Sequence, residues 1–115
     1  TGGLAGRRHR QAGRALALLH EFPDRPWTMD ELGHQVGLSR SALHERFTQF
    51  LAQPPMHYLA SWRIQLGSRL LRETRRSVAS IAVEVGYESE AAFSRAFKRL
   101  VGLPPATWRR NMAAA

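Results

Sequence analysis

The 115-residue sequence predicts an all-α protein of about seven helices, organised as two similar helical units joined by a long central helix. Two observations support this fold class. Apolar residues recur at helical spacing along the chain, and no stretch shows the alternation that is typical of a strand. One pattern also occurs twice, with Gly37 and Phe47 in the first copy and Gly86 and Phe97 in the second. The offset is 49 residues between the glycines and 50 between the phenylalanines, so the second turn contains one additional residue.

The first unit is preceded by a short segment. Residues 1–6 are expected to be a linker or a cloning remnant, and the first unit is predicted over residues 7–53. Its first helix is predicted from about Arg7 to His20, because small and apolar residues recur there at helical spacing. This helix is expected to end before Pro23, since proline cannot continue it.

The rest of the first unit shows the signals of two short helices around a turn. Thr28 and Glu31 fit a capping box at the start of one helix, which is expected to end at Gly37. Glycine can adopt the left-handed conformation that a helix C-terminus often requires. Ser39 can then cap a second helix that runs to about Phe50. These elements predict a helix-turn-helix unit, whose second helix can lie in a DNA major groove.

Helical geometry separates the buried and the outward side chains of the helix that follows Gly37. At about 100° per residue, with Leu43 at 0°, Phe47 falls at about 40° and Phe50 at about −20°, which defines a buried face. Glu45 falls at about 200° and is expected to point outward. The other side chains predicted to lie away from the core are Ser41, His44 and Thr48.

A long central linker helix is predicted over residues 54–74. Pro54 and Pro55 are tolerated in its first turn, where backbone N–H groups have no helical partner. Gly67 lowers the stability of a helix interior by about 1 kcal/mol relative to alanine. We therefore expect Gly67 to be needed for close packing against a neighbouring element.

The second unit is predicted over residues 75–112, with a tail at residues 113–115. Ser77 caps a short helix that ends at a glycine, and Ser89 caps the helix after the turn. The predicted buried face of that second helix consists of Phe93, Phe97 and Leu100. Arg95 then lies at the centre of the exposed face, where an arginine flanked by small residues can approach a guanine edge. An ordinary solvated arginine is the alternative. A last short helix is predicted from Pro104-Pro105 and carries Trp108.

The charge balance favours a nucleic-acid partner. The net charge is +8, and every one of the 17 basic residues except Lys98 is an arginine. The planar guanidinium group matches phosphate oxygens and the guanine edge in geometry. A basic surface that merely keeps the protein soluble is the alternative.

Other function classes lack the motifs that they need. The chain has no cysteine, which excludes disulfides and thiolate metal sites and is typical of a reducing cytoplasm. It has neither an apolar run of the roughly 20 residues that span a bilayer nor a secretory signal, so we expect a cytoplasmic protein. The five histidines include no pair at i, i+4. A nucleophile elbow and a glycine-rich phosphate loop are also absent, so we expect no enzyme, no metal and no cofactor.

Several segments of the second unit and of the central helix carry a recognisable signature. They are Ser77 to Ser89 (SVASIAVEVGYES), Phe93 to Arg99 (FSRAFKR), Gly102 to Pro105 (GLPP), Trp108-Arg109, Arg63-Ile64 and Leu70-Leu71. These segments resemble the AraC/XylS family of bacterial transcription regulators. The resemblance covers about Ala15 to Arg110 and includes both copies of the pattern.

The resemblance implies the C-terminal DNA-binding domain of such a regulator. In that family a long linker helix holds two helix-turn-helix units, whose recognition helices enter successive major grooves of double-stranded DNA. The corresponding helices here are about residues 39–50 and 89–100. The family also implies an N-terminal effector-sensing and dimerising domain in the full-length protein, and RNA polymerase as a candidate partner.

Site residues are carried over by position. The resemblance places base-reading side chains at Arg40, Ser41, His44 and Glu45 in the first recognition helix, and at Glu90, Ala91, Ala92, Ser94 and Arg95 in the second. The candidate phosphate contacts are Arg63, Lys98, Arg99, Arg109 and Arg110.

Two positions depart from the family pattern. Many relatives carry an arginine where this chain has Glu45, and Gly67 stands where alanine is usual. Arg46 does not simply replace the family arginine, because it falls at about −60° and borders the buried face. It is expected to cover apolar surface or to pair with a carboxylate.

The main alternative function is that of a basic helical module that binds a protein partner or an acidic membrane. Membrane binding requires large exposed apolar residues among the arginines, whereas the apolar residues of this chain are needed for the core. Base stacking on single strands is a further alternative, although aromatic residues at helical spacing beside turns are typical of a core. The aromatic residues concerned are Trp27, Trp62, Trp108, Tyr58 and Tyr87.

Overall fold

The computed structural model describes residues 2–115, with side chains from His9 onward. The described residues form seven helices and no strand, which confirms the predicted all-α class. The helices are α1 (Gly2–Glu21), α2 (Met29–Val36), α3 (Arg40–Leu51), α4 (Pro55–Glu73), α5 (Val78–Val85), α6 (Glu90–Val101) and α7 (Pro105–Ala114). Within the described residues, none of these helices combines the length and the apolar character needed to cross a bilayer.

The chain divides into two compact units. Unit 1 ends at Leu59, and unit 2 covers Ala60–Ala115. The sequence predicted a separate linker over residues 54–74, whereas the packing assigns the first turn of α4 to unit 1 and the rest of that helix to unit 2. Helix α1 begins at Gly2, before the predicted start at Arg7, and Thr1 lies outside the described residues. Three glycines among the first six residues disfavour a helix and explain the later prediction.

The core of unit 1 lies between α1, α2 and α3. Its buried residues are Ala15, Leu19, Trp27, Leu32, Val36, Leu43, Phe47 and Leu59. Trp27 lies in the loop before α2, and its indole N–H donates to the carbonyl of Phe22 over 2.9 Å. This bond satisfies the polar atom of an otherwise buried ring.

The core of unit 2 is built on aromatic contacts between α6 and its neighbours. The ring centroids of Phe93 and Phe97 lie 5.7 Å apart, and those of Phe97 and Trp108 lie 5.6 Å apart. A Cβ atom added at Gly67 would lie 2.7 Å from Cε1 of Phe93, so the close packing expected of this glycine is confirmed. The buried residues are Ile64, Leu71, Ile81, Ala82, Val85, Phe93, Ala96 and Phe97.

The predicted helix caps are confirmed in both units. The side chain of each cap accepts a hydrogen bond from the backbone N–H three residues later, over 3.0–3.2 Å, at Thr28, Ser39, Ser77 and Ser89. Gly37 and Gly86 end α2 and α5 with φ angles of 74° and 110°, in the left-handed region that favours glycine. The two turns therefore follow from the capping side chains and the two glycines.

Two residues predicted to be buried are exposed. Phe50 is 38% exposed and stacks on the ring of His9, with centroids 5.1 Å apart, and Leu100 is 40% exposed. Both lie in the last turn of their helices, α3 and α6. The angular projection was wrong for them because it predicts the direction of a side chain, and not the presence of an element that covers it.

Candidate nucleic-acid interface

Helix α3 presents a polar face to solvent. Leu43 and Phe47 are fully buried and fix the inward side of the helix. The predicted base-reading side chains on its outward side are all exposed, namely Arg40, Ser41, His44 and Glu45. The Arg40 guanidinium lies 3.6 Å from a carboxylate oxygen of Asp30, but both side chains are exposed. Such a pair contributes little stability, so Arg40 can exchange this partner for another anion.

Helix α6 presents a face of different composition. Phe93 and Phe97 are fully buried, and Arg95 is exposed between them in the sequence. Two residues next to Arg95 on the predicted face, Ala91 and Ser94, have short side chains. Ala91 is exposed, and Ser94 is half-buried. Of the remaining predicted base-reading residues, Glu90 is exposed and Ala92 is half-buried. On the N-terminal side of Arg95 the neighbours are short, so its donor groups can reach past them toward a flat surface. On the C-terminal side, Lys98 and Arg99 are long and exposed.

The candidate phosphate contacts fall into two groups. Lys98, Arg99 and Arg110 are exposed. Arg63 is half-buried in α4, and its guanidinium lies 5.7 Å from the ring centroid of Tyr87. Burial raises the pKa of the Tyr87 phenol above its ordinary value of 10.0, while the charges of Arg63 and Arg99 act in the opposite direction. Arg63 is therefore part of the packing around the turn of unit 2.

Arg109, which was predicted to contact a phosphate, forms hydrogen bonds within the protein. Its guanidinium donates three hydrogen bonds to main-chain carbonyls near the end of α4. The acceptors are the oxygens of Leu71 at 2.9 Å, Arg76 at 2.7 Å and Thr74 at 3.4 Å. The carbonyl of Leu71 is one of the last four of α4, which lack intrahelical partners, and the carbonyls of Thr74 and Arg76 lie in the loop that follows. One arginine fork therefore satisfies acceptors from both the helix end and the loop. Arg109 thus joins α7 to the loop between α4 and α5.

Arg46 and Gln11 form a contact that the sequence did not predict. Arg46 is half-buried, as its position in α3 indicated. Its Nη1 donates to the side-chain oxygen of Gln11 in α1, and not to a carboxylate. A glutamine within an apolar helix pattern carries no specific signal, so Gln11 could not be predicted from the sequence.

The described residues contain no cluster of three His, Asp or Glu side chains placed to hold a metal ion. The polar side chains on α3 and α6 offer hydrogen-bond donors, acceptors and positive charge. These are the groups that recognise base edges and phosphates.

Comparisons with known proteins point to one class. A family model described as a helix-turn-helix domain matches residues 32–111. The chain is 45% identical over 111 residues to a Streptomyces lividans protein described as an AraC-like transcription regulator, covering 96% of this chain and 36% of that protein. It is 37% identical over 103 residues to the transcriptional regulator AlkR of Acinetobacter baylyi, covering 90% of this chain and 34% of AlkR.

A solved structure has the same fold. The DNA-binding domain of AdpA, a global transcriptional factor crystallised with a target DNA, superimposes with a TM-score of 0.86 at 25% identity. The match covers 90% of this chain and 93% of that domain. The chain spans about a third of the length of the curated relatives it matches. All three proteins are described as regulators or transcription factors and not as enzymes, in agreement with the expectation from the sequence.

Proposed function

This chain belongs to the AraC family of helix-turn-helix regulators, and we propose from this that it binds double-stranded DNA sequence-specifically as the DNA-binding domain of a bacterial transcription regulator. The observation that carries the proposal is the occurrence of two helix-turn-helix units, each with an exposed polar helix after a capped glycine turn. Similarity at a TM-score of 0.86 to a domain crystallised with its target DNA supports it.

In the proposed complex, α3 and α6 are the recognition helices and enter successive major grooves. Arg95 is the strongest candidate for direct base reading, because its donor fork can bind O6 and N7 of guanine. Glu45 offers only acceptors and can receive a hydrogen bond from the amino group of cytosine. Lys98, Arg99 and Arg110 are exposed cations suited to phosphate contacts.

The full-length protein is proposed to contain more than this domain. The relatives are about three times as long as the matched region. We propose, from the family resemblance, that the additional sequence includes an N-terminal domain that senses an effector and mediates dimerisation. A regulator that acts on promoters also makes RNA polymerase a candidate partner. A protein that binds chromosomal DNA acts in the bacterial cytoplasm, where the nucleoid lies.

The proposal is tested by selecting bound sequences from random duplex DNA with the isolated chain. We expect a defined site, and we expect unlabelled duplex of that sequence to compete far better than either of its single strands. Equal competition by single strands would contradict major-groove recognition. Absence of any selected site, together with capture of a protein partner, would favour the alternative of a basic protein-binding module.

Joint engagement of the two units is tested by changing the spacing within the selected site. Inserting about 5 base pairs between the two recognised segments rotates one segment by about half a helical turn relative to the other. We expect this insertion largely to abolish specific binding in electrophoretic mobility assays. The same insertion outside the two segments is the control and should leave affinity unchanged. Unchanged affinity for both insertions would show that only one unit reads DNA.

A further inference from the structure

Two side chains of α1 complete the C-terminus of α2, which is the first helix of the motif in unit 1. The last four carbonyls of a helix have no intrahelical partner. The backbone of the turn supplies two of these partners, because Leu38 donates to the carbonyl of Gly33 and Gly37 donates to that of His34. The other two come from α1, since Arg14 donates to Gln35 O over 3.3 Å and Gln11 donates to Val36 O over 3.2 Å.

Gln11 forms a second hydrogen bond, whereas the described contacts of Arg14 include only the bond to Gln35. Its side-chain oxygen accepts from Nη1 of Arg46 in α3, while its side-chain nitrogen donates to α2. One amide group therefore joins both helices of the motif to the helix that supports them. Gln11 also lies beside the turn, because a Cβ atom added at Gly37 would be 3.9 Å from its Nε2.

In unit 2, different residues occupy the positions that correspond to Gln11 and Arg46. The buried residues Ala12, Ala15 and Leu19 of α1 and the buried Ile64, Gly67 and Leu71 of α4 are spaced identically, each pair 52 residues apart. By this alignment Arg63 of α4 takes the place of Gln11, and by the 50-residue offset between Phe47 and Phe97, Ala96 of α6 takes the place of Arg46. In unit 2 the arginine is Arg63 of α4, the helix that corresponds to α1. In unit 1 it is Arg46 of α3. The contact between Gln11 and Arg46 is thus a particular property of unit 1.

We infer that Gln11 and Arg46 are a positioning pair that sets the rotation of α3 about its axis, and that they thereby determine which bases the adjacent His44 and Glu45 select. This inference rests on the proposed DNA-binding function. A rotation of about 20° moves a side-chain tip on a helix of about 10–12 Å diameter by about 2 Å. Hydrogen bonds to base edges tolerate a distance range of only about 0.5 Å, so such a rotation changes base preference.

The test compares the base preferences of wild type, Gln11→Ala, Arg46→Ala and the double variant, selected from random duplex DNA. Gln11→Ala leaves the net charge unchanged, so its effect is not an effect on phosphate binding. We expect each variant to lose about tenfold in discrimination at the base pairs read by α3, which corresponds to about 1.4 kcal/mol. The base pairs read by α6 should keep their preference. The double variant should lose no more than either single variant, because both remove the same contact.

Two further variants separate positioning from general destabilisation. Arg14→Ala removes a bond to α2 and the same charge as Arg46→Ala, but it should preserve the base profile. Gln11→Glu keeps an acceptor for Arg46 but loses the donor to Val36 O. It should retain more of the wild-type profile than Gln11→Ala, because the bond to Arg46 sets that profile. An unchanged profile in Gln11→Ala, with wild type still selecting a defined site, would overturn the inference and leave the proposed function intact.

A measurement without DNA tests the contact between Gln11 and Arg46 by itself. A double-mutant cycle on the free energy of unfolding, measured by urea denaturation, should show an interaction energy between positions 11 and 46. The interaction energy between positions 14 and 46 should be much smaller. Absence of that coupling would overturn the positioning pair. Failure of wild type to bind duplex DNA would overturn the proposed function, whatever the cycle shows.

Discussion

Corresponding positions of α3 and α6 carry opposite charges. Glu45 and Arg95 occupy the same place in the two copies of the repeat, and both are exposed. A carboxylate can only accept hydrogen bonds, whereas a guanidinium group can only donate them. In the proposed complex, the two helices would therefore require different bases at the groove positions that these residues face. Phosphates would also repel Glu45 and attract Arg95.

Arg95→Ala is expected to weaken binding to the best site by about 1–3 kcal/mol and to relax the preference at one or two base pairs. The expected lost preference is for guanine, because the donor fork matches the acceptors O6 and N7. Titrations against the selected site and against single-base variants measure both effects. Lys98→Ala is the matched control and should weaken binding to all sequences alike. An Arg95→Ala variant with the wild-type base profile would contradict a base-reading role.

Glu45→Arg is expected to raise affinity for random duplex DNA, because it replaces a repulsive charge with an attractive one. If Glu45 reads a base, the selected sites should also change from cytosine toward guanine in the segment read by α3. Selection with both proteins separates the two effects. A profile that stays the same while overall binding tightens would show that specificity comes mainly from α6.

At the scale of elements, local signals predicted the helices and long-range contacts escaped prediction. Thr28 and Ser89 cap helices through bonds to residues three positions away, so sequence spacing was sufficient to find them. Arg109 bonds to carbonyls 33 to 38 residues away, and Gln11 bonds to Arg46 across 35 residues. The partners of such side chains depend on how the helices pack, and a single sequence does not specify that packing. The exposure of Phe50 escaped prediction for the same reason.

Gly67→Ala is expected to destabilise the protein by about 1 kcal/mol. The new methyl group would lie 2.7 Å and 2.8 Å from two ring atoms of the buried Phe93, and overpacking of this kind costs about 1–3 kcal/mol. The higher helix propensity of alanine offsets about 1 kcal/mol of that cost. Urea denaturation measures the difference. Gly13→Ala is the control, because a Cβ atom there meets nothing within 4 Å and should stabilise α1. Equal stabilisation by both substitutions would contradict the close contact at Gly67.

At the scale of the whole molecule, the positive charge is concentrated in unit 2. Residues 60–115 contain ten basic and four acidic residues, whereas residues 1–59 contain seven basic and five acidic ones. Unit 2 therefore carries +6 of the net charge of +8. The same unit contains Arg95 and the exposed cations of α6 and α7. We expect unit 2 to supply most of the electrostatic attraction to DNA, and unit 1 to contribute more through direct contacts with bases.

Salt dependence measures that attraction. A domain that contacts about 6 to 10 phosphates is expected to lose roughly three to five orders of magnitude in affinity between about 50 and 200 mM salt, because bound cations are released from the DNA. Lys98→Gln should flatten the slope of log affinity against log salt by about one unit for specific and random DNA alike. Arg25→Gln removes the same charge, but the Arg25 guanidinium lies over the rings of Phe22 and Trp27 in unit 1 and should leave the slope unchanged. Equal slopes for the Lys98→Gln and Arg25→Gln variants would mean that net charge acts without a specific phosphate contact at Lys98. For the wild-type protein, an affinity that does not change with salt concentration would contradict DNA binding by this surface.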